Sequence, residues 1–119
     1  MSEHLFTILA VLFVKHFVVD FVFQTQHQID RKGTYGDWIG FSHSIEHGLA
    51  TFLVFMFFGI GLEASIILAT TDTVVHYHID YIKMRWGTKD MYTKLFWTQF
   101  GMDQMFHALT YIELVYLIS

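Results

Sequence analysis

The chain has 119 residues, a net charge of −4 and no cysteine, and it is 54% hydrophobic with only 15% charged residues. That length makes one domain, 1–119, the expectation; the acidic balance without a basic stripe excludes nucleic acid as a partner, and the lack of cysteine excludes disulfides and thiolate metal sites. A mean hydropathy of +0.42, with thirteen Phe, six Tyr and three Trp, points to a membrane protein rather than a small soluble core.

The start, MSEHLF, lacks the basic n-region of a signal peptide, so the first apolar segment is expected to be retained. Apolar stretches run over 5–23, 39–58, 63–82 and 95–118. Each is near the roughly 20 residues that a spanning helix requires. The connections are QTQHQIDRKGTYGD, the tight turn GIGLE, and KMRWGTKDMYTK. No proline interrupts a span and no repeat is evident. The expected fold is all-α, a four-helix transmembrane bundle running up-down-up-down.

Arg31 and Lys32 sit in the first connection, and Lys83, Arg85, Lys89 and Lys94 in or beside the third. The positive-inside rule then puts these two connections in the cytoplasm and both termini outside, in a multi-pass protein of the inner (cytoplasmic) membrane. Trp38, Trp86 and Trp97 flank the same connections, where an aromatic belt sits.

Each span also carries a pair of polar residues four apart: His16 and Asp20, His43 and His47, His76 and Asp80, Asp103 and His107. Spacing of four stacks two side chains on one helix face. At about 1.5 Å per residue, all eight lie within roughly 5–18 Å of the cytoplasmic helix ends. Ionisable groups at such depth are costly and mark function. Imidazole and carboxylate suit zinc, with iron or manganese as further choices, and inward-facing pairs on four helices are how bundles build dinuclear centres. Two divalent ions, three aspartates and a bridging hydroxide sum to neutrality, which a site of low dielectric favours. The alternative is a hydrogen-bonded polar core or a proton relay.

Around the pairs, Gln24 and Gln104 are expected to orient ligands by hydrogen bonding. Glu46 and His78 point off the ligand faces. Gly48, beside His47, permits close helix approach. Lys15 and Asp72 lie at similar depth on spans that run in the same direction, which predicts a buried ion pair between them.

The motifs His16-x3-Asp20-x3-Gln24, His43-x3-His47, His76-x3-Asp80 and Asp103-Gln104-x2-His107 resemble those of the domain of unknown function 3307 family. The resemblance covers nearly the whole chain. It implies a small bacterial or phage membrane protein, similar in style to membrane-bound metal-dependent hydrolases. The four pairs themselves, at their shared depth, make the expected function a dinuclear metal hydrolase acting near the cytoplasmic face on a lipid or amphiphile with a phosphoryl or acyl group. The alternatives are a non-catalytic metalloprotein for metal sensing, transport or scaffolding, and a di-iron redox enzyme. An oligomer in the bilayer is compatible with either.

Overall fold

A computed structural model describes residues 2–119. Four long helices form it: α1 (Glu3–Phe17), α3 (Trp38–Phe57), α4 (Leu62–Trp86) and α5 (Lys94–Leu117). A short helix, α2 (Gln26–Arg31), lies in the first connection. Among the described residues there is no strand. The bounds follow the expected spans within a few residues, except that α4 runs on to Trp86. α3 packs on α1 and α4, and α5 closes the bundle against α1 and α4.

The helix starts are written locally. Asp37 accepts from the N–H groups of Ile39 and Gly40 at the start of α3, and Thr93 from Phe96 N–H at the start of α5. Such side chains satisfy donors that a helix cannot use internally. α2 stands where apolar length alone predicts a loop. It has a reciprocal capping box: Thr25 Oγ1 accepts from Gln28 N–H, and Gln28 Oε1 accepts from Thr25 N–H.

α1 does not continue as α-helix to the end of its apolar run. Val18–Phe23 winds as a π-helix, a form that occurs mostly as single turns and often at functional sites. This wider turn carries Asp20.

The interior is divided along its length. The half holding both termini and the α3–α4 turn is apolar, with Ile8, Leu12, Phe55, Leu68, Leu114 and Val115 packed together around Tyr111. The other half is polar. Among the described residues, thirteen buried side chains are polar or charged against ten hydrophobic ones, the reverse of a soluble core. The exterior is apolar in compensation: Val14, Phe21, Leu53, Phe57, Ile67 and Leu117 are each more than half exposed. Of the long helices, only the continuous stretch Glu3–Phe23 is long and apolar enough by composition to cross a membrane. The other three helices carry the polar stripes, and α4 alone holds Glu63, Asp72, Asp80, Lys83 and Arg85.

Close contacts set the spacing of the polar half. A Cβ on Gly48 would overlap Thr73 Oγ1 and lie 3.1 Å from Ala69 O, so glycine lets α3 and α4 meet at the level of His47, in line with its place in the sequence. A Cβ on Gly40 would lie 2.6 Å from Arg31 O and 2.7 Å from Lys32 Cα. The end of α2 is therefore seated on the backbone of α3.

Candidate metal centre

The pairs on α3, α4 and α5, together with His16 and Asp20, converge in the polar half. His43, His47, His76 and His107 are all at most 1% exposed, and Asp80 and Asp103 at most 3%. Three imidazoles from three helices form a stacked row, with centroids 3.8 Å apart for His47–His76 and 3.9 Å for His76–His107.

Five Nε2 atoms point at two carboxylates. Around Asp20, His47 Nε2 lies 2.8 Å and His43 Nε2 2.9 Å from Oδ1, and His16 Nε2 lies 3.0 Å from Oδ2. Around Asp80, His107 Nε2 lies 3.0 Å from Oδ1 and His76 Nε2 3.1 Å from Oδ2. His43 Nε2 also approaches Asp80 Oδ2 at 3.7 Å, and His76 Nε2 approaches Asp20 Oδ1 at 3.8 Å. Two donor groups result, each with its ligand atoms within 4.8 Å of one another: Asp20, His43, His47 and His76, and His76, Asp80 and His107. Nitrogen and carboxylate oxygen in such groups can hold a metal ion. Neither ring nitrogen of buried His76 makes a well-aligned hydrogen bond, although Nε2 lies 3.1 Å from Asp80 Oδ2. An imidazole so poorly bonded inside a bundle is costly, and a metal ion would satisfy it.

His16 and Asp103 fall outside both donor groups and edge the centre instead. His16 is held by Tyr111 and Gln104: its Nδ1 is 2.7 Å from Tyr111 Oη, and its Nε2 is 2.9 Å from Gln104 Oε1. Asp103 Oδ2 pairs with Lys83 Nζ at 3.2 Å and accepts from Gln104 Nε2 at 3.0 Å. Gln104 thus touches His16 and Asp103, and also reaches Asp20 Oδ2 at 3.4 Å. Gln24 does not touch the donor side chains: it donates to the backbone carbonyl of Asp20 at 2.9 Å and accepts from Lys32 Nζ at 2.8 Å. Glu46 is turned away and accepts from Gln28 at 2.9 Å. His78 bonds Tyr35 Oη at 2.9 Å on the outside.

The Lys15–Asp72 pair is present, at 3.2 Å, with side chains 5% and 1% exposed. Thr51 also donates to Asp72. Lys15 further donates to Tyr111 Oη and to His47 Nδ1, each at 3.1 Å. An ammonium has donors only, so it fixes the tautomers around it. His47 Nδ1 must accept, which leaves the ring proton on Nε2 to donate to Asp20. Tyr111 accepts from Lys15 and passes its own proton toward His16 Nδ1, so His16 also presents Nε2–H to Asp20 and Gln104. A neutral His47 could bind a metal through Nε2 only with its ring proton on Nδ1, and Lys15 would then have to give up its bond to that nitrogen.

Four residues of this network escape the sequence reading in these roles. Lys32 and Lys83 count there only as loop charges that set orientation. Lys32 is instead 5% exposed, with Nζ 3.1 Å from Asp80 Oδ2, and Lys83 bonds Asp103. Tyr111 and Thr51 carry no mark in the motifs, although each lies four residues beyond a marked histidine, His107 and His47. Extending the stripe by one turn finds both.

No curated protein and no solved structure matches the chain. A family model does match, over residues 8–119, so the chain belongs to the family described as Protein of unknown function (DUF3307).

Proposed function

We propose that this protein is a membrane-embedded metal hydrolase whose centre is the buried layer of Asp20, His43, His47, His76, Asp80 and His107. The observation that carries the reading is the convergence of imidazole Nε2 atoms from four helical segments on Asp20 and Asp80, with His76 between them making no well-aligned hydrogen bond. The two donor groups suit up to two divalent ions, with His76 at their junction and zinc favoured for a set of nitrogen and carboxylate ligands. A divalent ion at such a site makes hydroxide available from bound water near neutral pH and polarises a phosphoryl or acyl group. The chain's own residues hold and orient the donors. Lys15 and Tyr111 fix the rings of His47 and His16, while Gln104 ties His16, Asp20 and Asp103 together.

The membrane setting is supported by the inverted distribution of side chains. Burying thirteen polar residues while exposing rows of Phe, Leu and Ile is favourable only where the surroundings are apolar. The exposed Trp38, Trp86 and Trp97 lie at the end that carries α2 and the α4–α5 connection, where an interfacial belt would lie.

The test is elemental analysis of protein purified without an affinity His-tag. One or two equivalents of zinc, iron or manganese per chain are expected. Iron in place of zinc would turn the reading toward redox chemistry. Metal near zero after purification without chelator would end it.

A further inference from the structure

We infer that the centre takes a phosphate-bearing amphiphile, held with its phosphate on Lys83 and its apolar chain in the groove between α4 and α5. This rests on the proposed metal centre and names the substrate class for it.

The first support is charge. Four carboxylates, Asp20, Asp72, Asp80 and Asp103, lie in or beside the centre. Three ammonium groups, Lys15, Lys32 and Lys83, pair with the last three of these. Ligating imidazoles are neutral, so the protein groups sum to a single negative charge. One divalent ion with a bound hydroxide leaves the centre neutral, and two ions with a bridging hydroxide leave it at +2. The motif aspartates alone, with the same two ions and hydroxide, give neutrality; Asp72 and the three lysines shift it to the positive side. A site of low dielectric with surplus positive charge calls for an anion. A phosphate meets that requirement, whereas a neutral acyl ester does not.

The second support is access. A cavity of about 430 Å³ opens between α4 and α5, with Ile82, Trp86, Met102 and Phe106 on its apolar walls and Lys83 and Asp103 as its polar end. Lys83 is a fifth exposed on its side chain, and Asp103 is buried with Oδ1 lacking a hydrogen-bond partner. The groove ends at Lys83 and Asp103, and side-chain contacts link these two to the centre. Lys83 Nζ is 3.2 Å from Asp103 Oδ2, Asp103 Oδ1 is 3.4 Å from His107 Nε2, and His107 Nε2 is 3.0 Å from Asp80 Oδ1. A lysine ammonium has three N–H donors, so Lys83 can take a phosphate oxygen while keeping Asp103. An apolar chain in the groove would bury the walls that now face outward.

The experiment uses the full chain in neutral maltoside micelles, loaded with zinc, with Trp38→Phe and Trp97→Phe so that Trp86 is the sole tryptophan. Phosphatidic acid with brominated chains is titrated in and quenching of Trp86 is read. Diacylglycerol with the same chains is the phosphate-free comparison, and inorganic phosphate is the competitor without a chain. Saturable quenching by phosphatidic acid is expected, at least about tenfold tighter than by diacylglycerol, since one charge-assisted contact to phosphate is at stake. Lys83→Gln should remove that preference. Met102→Tyr, which narrows the groove and leaves the lysine intact, should weaken both lipids while zinc content stays unchanged. Equal quenching by the two lipids, a preference that survives Lys83→Gln, or undiminished binding of both lipids in Met102→Tyr would overturn the inference. Zinc measured on the same samples separates the two claims. Bound zinc without lipid preference sinks the groove alone, and lipid preference without zinc sinks the metal centre alone.

Discussion

Lys15 makes three buried contacts, to Asp72, His47 and Tyr111, and so joins the histidine and aspartate layer to the apolar half of the bundle. Removing one partner of a buried ion pair strands the other charge, at a cost of about 3–5 kcal/mol. Lys15→Met should lose stability on that scale, as read by thermal unfolding in detergent. Lys15→Met with Asp72→Leu should recover much of the loss. Equal losses in the single and double variants would mean that the pair contributes nothing as a pair. The double variant also frees His47 Nδ1 to carry the ring proton, so it should bind zinc at least as tightly as the wild type; weaker binding by calorimetry would contradict the tautomer assignment. The shared depth of this pair is legible in the sequence from helix rise and direction, whereas the meeting of the two faces is not. Tyr111 and Lys32 are harder to see. Tyr111 looks like one more aromatic in an aromatic-rich chain, and Lys32 looks like a topology charge in a polar connection.

At the level of elements, α2 and the π-helical turn are what the sequence conceals. The four long helices can be read from apolar length alone. A six-residue helix leaves no such signal, and only Thr25-x-x-Gln28, a capping box, marks α2. The π-turn at Val18–Phe23 is hidden because the apolar run continues unbroken through it. α2 matters because it delivers Lys32 to Asp80, and its seat is Gly40. Gly40→Ala would push a methyl group against backbone atoms of Arg31 and Lys32, which cannot yield as a side chain can. Overpacking of this kind costs about 1–3 kcal/mol. Hydrogen exchange across residues 25–37 should then speed up, with α5 unaffected. Gly101 is the control, since a Cβ added there would meet nothing within 4 Å. Gly101→Ala should be neutral or stabilising by up to about 1 kcal/mol. Unchanged exchange at 25–37 in Gly40→Ala would show that α2 is not anchored there.

For the whole molecule, an apolar exterior around an interior that is polar in one half is the organising feature. The four long helices and the shared depth of the pairs are readable from sequence, whereas which stripes face one another depends on helix rotation, which no spacing rule gives. Lys32 and Lys83 turn inward, so the orientation argument rests on Arg31, Arg85, Lys89 and Lys94. With both termini at the same end, we expect the protein to resist alkaline carbonate extraction and a fusion at Ser119 to report the outer face. Release into the soluble fraction would contradict the membrane setting, and a fusion active only in the cytoplasm would reverse the orientation. The central claim, that the buried histidine and aspartate layer is a metal site, is tested most directly by metal per chain in single variants of protein purified without a His-tag. His43→Ala, His76→Ala and His107→Ala should each lose half or more of the bound metal, because each removes an Nε2 donor from the layer. His78→Ala, on the outer face beside Tyr35, should retain all of it. Metal content unchanged in the three buried variants, or lost equally in His78→Ala, would place the metal elsewhere.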